Sequence, residues 1–277
     1  MADIKKLVRE EYGQIAENAA SPASGCSCCS CSSDMAAESS LQAGYTEEEI
    51  NSVPEGANLG LGCGNPLALA EIKAGETVLD LGSGGGFDCF LASPRVGAKG
   101  KVIGVDMTPQ MLSIAKRNAF QGGYTNVEFI QGEIENLPLE SDSIDLIISN
   151  CVINLSPDKP AVFKEALRVL KPGGRIVISD IVLEGELPEE VRKSAAAYVS
   201  CIAGAEQFYD YLDIIHNAGF IDIILLSKET YGSGSCCDDR GCGCGCSDES
   251  CHSHEDAETN ELDGLISSLR LKAYKPL

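Results

Sequence analysis

The spacing of apolar residues changes character near residue 76. Ahead of it, residues 3–19 set Ile4, Leu7, Val8, Tyr12, Ile15 and Ala16 at helical intervals, which predicts an amphipathic helix. Its expected role is packing against the folded body rather than contact with a cofactor. Beyond residue 76, short apolar runs alternate with amphipathic stretches. The runs at 77–81, 102–106, 127–131, 144–149 and 175–180 predict strands, and the stretches at 87–93, 109–121 and 159–170 predict helices. Runs that are apolar on both faces belong to parallel strands covered from both sides. The helix at 159–170 carries Val162, Phe163, Ala166, Leu167 and Leu170 on one face and stops at Lys171-Pro172-Gly173-Gly174. Residues 188–218 are helical in pattern with a break near Gly204, whereas 220–227 and 267–274 read as strands that suit an antiparallel pair. The expected fold is α/β: a doubly wound, mostly parallel sheet.

Two stretches have no period. Residues 20–40 are rich in Ser, Ala and Cys and read as a mobile segment. Residues 229–263 are rich in Gly, Ser, Cys and acid, and read as a disordered insertion in the hairpin that closes the sheet. Between residue 40 and the first strand, Thr46 and Glu49 form a capping-box pattern. Pro54 and the glycines at 56, 60, 62 and 64 then make a loop that presents Cys63. Four regions follow: 1–75 with the helix and the Cys63 loop, a core at 76–180, a helical and sheet-closing region at 181–228 and 264–277, and the insertion at 229–263.

Charge narrows the function. Lys and Arg total 21 against 42 acidic residues, for a net charge of -21 over 277 residues. Such a chain repels phosphate backbones, so nucleic acid is not an expected partner. No apolar run approaches the ~18 residues of a membrane helix, and the charged N-terminus lacks the apolar core of a signal peptide. The expected compartment is the cytoplasm, with no membrane partner. The 14 cysteines are then reduced thiols, which points to soft-metal, metalloid or redox chemistry.

The chemistry centres on Asp80-Leu81-Gly82-Ser83-Gly84-Gly85-Gly86, which ends the first predicted strand and opens a helix. A dinucleotide fingerprint would want a small residue where this chain has Phe87. Asp-x-Gly-x-Gly-x-Gly resembles instead motif I of the class I S-adenosylmethionine-dependent methyltransferases. The downstream order agrees: GVD ending in Asp106, then GEIENLP, then a hydrophobic strand, then LRVLKPGGR. The resemblance implies a seven-stranded sheet with an antiparallel last strand. It implies S-adenosylmethionine as cofactor, with Gly82, Ser83, Gly84 and Gly86 at its methionine moiety and Asp80 near its ammonium group. Asp106 would accept from the ribose hydroxyls, Met107 would lie against adenine and Glu133 would accept from the adenine amino group, with Ile134 and Asn150 alongside.

Three cysteine contexts make the resemblance more specific. NLGLGCGNP around Cys63, SNCVINLSPDK around Cys151 and AYVSCIAGA around Cys201 are similar to the arsenite methyltransferases. That family resemblance implies arsenite and methylarsenite as substrates, in a detoxifying methylation. Cys63, Cys151 and Cys201 would bind As(III), and one of Cys26, Cys28, Cys29 and Cys31 would join the redox chemistry. A thiol reductant of the thioredoxin or glutathione type would be co-substrate. Trivalent arsenic is thiophilic, and its lone pair attacks without a general base, because the attacking atom carries no proton. Cys89 reads as a buried structural thiol and His216 as a structural histidine. In the insertion, Cys236, Cys237, Cys242, Cys244, Cys246, Cys251, His252 and His254 resemble a metallothionein-like soft-metal cluster. Two other readings stand beside this one: methylation of an organic small molecule, and soft-metal sequestration on an inactive methyltransferase fold.

Overall fold

A computed structural model describes residues 2–20, 31–231 and 262–277. The expectations for Cys26, Cys28, Cys29 and the eight Cys and His positions of the insertion lie outside the described residues. Seven strands form one sheet: β1 (Thr77–Leu81), β2 (Lys101–Asp106), β3 (Val127–Gln131), β4 (Ile144–Asn150), β5 (Leu170–Leu183), β6 (Ile221–Thr230) and β7 (Ile266–Tyr274). Their order is β3-β2-β1-β4-β5-β7-β6. The first five pair in parallel, and β7 runs antiparallel to both β5 and β6. This is the doubly wound sheet expected from the alternation of apolar runs, with the reversed strand inserted at one side.

Both faces are covered, which explains the near-continuous apolar strands. Leu79, Leu81, Ile103, Val105, Ile176 and Ile178 face one layer, built on α6 (Lys159–Val169) and α9 (Phe208–Ala218). Val78, Val102 and Val177 alternate to the other, built on α4 (Phe87–Val96) and α5 (Pro109–Gly122). Burying one such side chain stabilises the fold by roughly 1.5–3 kcal/mol. Thr230 pairs with Ser267, so residues 232–261 leave and return at the open end of one hairpin.

Three elements differ from the pattern-based expectation. Within the stretch read as mobile, α2 (Cys31–Gln42) is a helix. It is seated by tertiary hydrogen bonds, from Ser39 Oγ to Gly60 O (2.9 Å) and from Ser40 Oγ to Asn58 Oδ1 (2.9 Å), which no periodicity could signal. The helical region at 188–218 breaks near Gly204 as expected, at residues 200–207, but also at extended Ser194, which caps a new helix, so it forms α7 (Glu189–Lys193), α8 (Ala195–Val199) and α9. The N-terminal helix α1 (Ala2–Ala20) packs on α5 as expected, with Ala16 against Met111 and Ile114, but it also reaches the functional cleft. The helix α3 (Glu47–Ser52) has the full capping box at Thr46 and Glu49. Among the described residues no helix is long and apolar enough to cross a membrane.

One ion pair ties the sheet to the segment before it. Arg175 of β5 is buried, reaches Glu76 at 2.7 Å and donates to the carbonyls of Ala70 and Glu71. Burial opposes ionisation of Glu76, but its hydrogen bonds to Arg175 outweigh this and hold its pKa below the usual carboxylate value. Arg175→Met should therefore cost about 3–5 kcal/mol in urea unfolding at pH 7, because it leaves the Glu76 carboxylate with only the Lys73 N–H and removes the donor to two carbonyls. The lowered pKa means that this stability is present above pH ~4.3 and is lost as pH falls through the folded-state value. The difference between wild type and Arg175→Met should accordingly shrink in acid.

Candidate active site

The strand order reverses between β1 and β4, and ligands in such sheets bind beyond the carboxyl ends of the strands at that point. Leu81 is paired with Ser149, so the glycine turn after β1 and the Asn150-Cys151 step after β4 emerge side by side. A cleft with about 1150 Å³ of empty space, its open mouth included, lies above them. Its walls come from the glycine turn, the ends of β2 and β4, the 57–62 loop and α1.

Gly82 and Gly84 take φ of +67° and +50°. A Cβ on Gly82 would stand 2.3 Å from Val152 Cγ2, whereas one on Gly84 would meet no protein atom within 4 Å. Gly82 is thus required by the turn, and Gly84 leaves bare backbone open to a ligand. Gly86 caps α4, and Ser83 is buried with its Oγ unpartnered. The Gly84 N–H donates to Asp106 Oδ2 at 2.9 Å and the Thr108 N–H to Oδ1 at 2.8 Å. These bonds orient Asp106 at the rim of the cleft while each oxygen keeps a further lone pair for a diol. Met107 and Ile134 line the same end.

At the other end are two buried acids. Asp80 accepts from Cys89 Sγ (3.2 Å), and Asp88 accepts from Tyr45 OH (2.6 Å) and Asn150 Nδ2 (3.2 Å). Burial raises both pKa values, that of Asp88 to about 6. No basic side chain forms an ion pair with either carboxylate among the described residues. A diol acceptor at one end, open glycine backbone and two carboxylates awaiting a cation at the other fit S-adenosylmethionine.

The cysteines converge where β4 ends. Cys63 and Cys151 are joined by a disulfide, with their Cα atoms 5.9 Å apart. Cys201, buried, donates from Sγ to the Cys151 carbonyl at 2.7 Å. Cys151 and Cys201 both have left-handed backbone, φ +57° and +63°, a conformation costly to a side-chain-bearing residue and frequent at functional sites. A carboxylate oxygen of Asp180 lies within 4.8 Å of both disulfide sulfurs. Asp180 is fully buried, accepts from Tyr211 OH at 2.9 Å, and has its pKa raised by burial to about 7. Burial also raises the Cys201 thiol. The sequence reading had three free thiols here. The structure brings the three residues together but oxidises two of them, and a disulfide sulfur has no thiolate charge with which to bind arsenic.

Other expectations are redistributed. Glu133 is not among the residues lining the cleft; its carboxylate is held by Lys5 (2.8 Å) and Arg9 (3.3 Å) of α1, which together lower its pKa. Glu135 lines the cleft instead, 3.1 Å from Lys5. Lys5, Val8 and Tyr12 make α1 a wall of the site, and Tyr12 OH donates to Val199 O at 3.3 Å. Cys89 is a buried thiol, as expected, while His216 is exposed on α9 and outside the cleft. Asp88, Asp180, Tyr45 and Glu135 escaped the sequence reading. The two aspartates had a signal, since each interrupts an apolar run (FDCFLA and ISDIV) without relieving it.

Residues 72–219 match the family described as a methyltransferase domain. The chain is 44% identical over 233 residues to an arsenite methyltransferase of Halobacterium salinarum, covering 82% of this chain and 60% of that protein. It is 36% identical over 231 residues to a human arsenite methyltransferase, covering 79% and 58%. It spans about half to three fifths of the length of the curated relatives it matches. An arsenic(III) S-adenosylmethionine methyltransferase of Chlamydomonas reinhardtii superposes with a TM-score of 0.61 at 36% identity, over 87% of this chain and 73% of that one. With three cysteines gathered at the mouth of a methyltransferase cleft and this likeness to the algal enzyme, the chain belongs to the arsenite methyltransferase family.

Proposed function

We propose that the chain methylates trivalent arsenic, first as arsenite and then as methylarsenite, with S-adenosylmethionine as methyl donor. The observation that carries this reading is the meeting of Cys63, Cys151 and Cys201 beside the cleft that ends in Asp80 and Asp88. Asp106 would hold the ribose, Met107 and Ile134 the adenine, and the two buried acids the ammonium group. Bound there, the cofactor supplies an electrophilic methyl group. The chain's own part is to hold arsenic as a thiolate complex with its lone pair free, which is a matter of proximity and alignment. His216 is remote and exposed, and the chemistry needs no general base.

The reduced pair Cys63 and Cys151 also carries two electrons. Methyl transfer onto the lone pair leaves arsenic formally As(V); as Cys63 and Cys151 leave it as the disulfide they return two electrons, restoring As(III), and a thiol reductant of the thioredoxin or glutathione type would then return the pair to thiols. Among the N-terminal cysteines, any of Cys26, Cys28, Cys29 or Cys31 could pass electrons to this pair. Such thiol cycling suits a reducing compartment, the cytoplasm. The insertion is accessory in this reading, a soft-metal store joined to the hairpin end.

Replacing cysteine by serine substitutes a hard oxygen for a soft ligand. Cys151→Ser and Cys201→Ser should lose arsenite methylation, and Cys63→Ser should fail on arsenite while retaining some turnover of methylarsenite. Mass analysis of methylarsenicals, with arsenite and a thiol reductant present, reads this directly. Full arsenite turnover by Cys151→Ser would sink the proposal.

A cation binds best to ionised carboxylates, and burial keeps Asp88 partly protonated below about pH 6. Affinity for S-adenosylmethionine should rise about tenfold between pH 5 and 7 as Asp88 ionises, with a proton released on binding at the acid end of that range. Calorimetry across that range would show a flat profile if the acids do not meet the cation.

Exchanging residues 232–261 for a short Gly/Ser loop should leave cofactor affinity and arsenite turnover near wild type. Leu262 and Leu265 are retained because they pack against the cysteine region. The number of soft metal ions bound per chain should fall, and a folded variant without turnover would move the insertion into the catalytic machinery.

A further inference from the structure

Cys63 sits in a loop without regular structure, at residues 60–65, so its position depends on side-chain anchors. Asn150 supplies most of them. It ends β4, one residue before Cys151. Its Oδ1 accepts from the Cys63 N–H at 3.1 Å, and its Nδ2 donates to Gly64 O at 2.8 Å. Nδ2 also lies 3.0 Å from Tyr45 Oη and 3.2 Å from Asp88 Oδ2. These partners fix the amide's orientation, because a reversed amide would turn its oxygen toward a carbonyl and a carboxylate.

The loop lies close against this anchor. A Cβ on Gly62 would stand 2.6 Å from Asn150 Nδ2, and one on Gly64 would stand 2.0 Å from Ser179 Oγ. On the far side, Ser268 Oγ donates to Cys63 O at 3.2 Å. The amide therefore clamps the backbone on either side of the Cys63 carbonyl to the strand that carries Cys151. Both of its hydrogens are taken by protein oxygens.

We infer that Asn150 is a positioning residue: it holds the Cys63 thiol opposite Cys151, so that the two act as a preformed dithiol toward trivalent arsenic. The inference rests on the arsenic reading above. In chelation each thiol passes its proton to an arsenite hydroxyl, which leaves as water, and an As–S bond forms without change of oxidation state. Once one thiol is attached, the second closes in an effectively intramolecular step, whose advantage scales with how well the partner is held in place. The same preorganisation governs the disulfide, whatever the substrate.

The test uses the full-length chain as Asn150→Ala and, separately, Gly62→Ala, whose methyl would press the loop off the amide without removing it. Each protein is equilibrated with mixtures of reduced and oxidised dithiothreitol. One dithiothreitol dithiol becomes its cyclic disulfide as the Cys63–Cys151 bond becomes two thiols, with two electrons and two protons exchanged. Acid trapping, alkylation and peptide mass analysis read that pair alone. Both variants should destabilise the disulfide about tenfold, equivalent to about 30 mV. The KM for arsenite should rise about tenfold in both, while in Gly62→Ala, which keeps the Asn150 bond to Asp88, the KM for S-adenosylmethionine stays within about threefold. An unchanged disulfide equilibrium in both variants overturns the inference, as does loss of cofactor affinity with the disulfide unaltered. If wild type fails to turn over arsenite but the disulfide still shifts, positioning stands and the arsenic reading falls. Should Asn150→Ala not fold, Gly62→Ala decides by the same two readings.

Discussion

The parallel register of β1 against β4 is the constraint on which the site depends. Backbone hydrogen bonds set Leu81 opposite Ser149, so the turn that opens the cofactor cleft and the step that carries Cys151 leave the sheet at one level. A slip of one residue would turn Asp80 and Asn150 to the opposite face and carry Leu79 and Ile147 out of their layer. The cost of exposing those side chains makes the register, and hence the distance between the two halves of the site, a property of the core.

Electrostatics at that junction is unusual for a protein of this charge. The chain bears a net charge of -21, and three of its carboxylates, Asp80, Asp88 and Asp180, are buried around the cleft and the cysteines. Each is held by hydrogen bonds from Tyr, Cys or Asn, and among the described residues by no basic side chain in direct contact. Burying a carboxylate without a counter-ion is costly unless a ligand completes it. Asp80 and Asp88 therefore suit a cationic ligand, while burial, and after it the nearby Asp180, opposes thiolate formation at Cys201.

The thiols themselves are controlled by backbone as much as by neighbours. Left-handed Cys151 and Cys201 turn their side chains out of regular elements, and the Cys201 thiol meets the Cys151 carbonyl. The helix α1 adds Val8 to the apolar surroundings of these cysteines and Tyr12 to the cleft wall. Excluding water there strengthens electrostatic interactions with the bound charges.

Much of this was legible in the chain alone, because it depends on local chemistry and periodicity. Apolar runs bounded by Gly and Asp predicted the strands, and the expected strand at 77–81 coincides with β1. The glycine turn, Asp106 and the three cysteine contexts were readable because each sits in a short contiguous motif. Tertiary structure alone decided the rest. Helix α1 lies near enough to the end of β3 for Lys5 and Arg9 to pair with Glu133, a contact no local pattern announces. Asp180 stands beside the sulfurs, and Asn150 serves the Cys63 loop, through contacts spanning 87 residues. A side chain's residue type sets what it can bind; which partner reaches it first depends on packing between distant segments, and no local period records that.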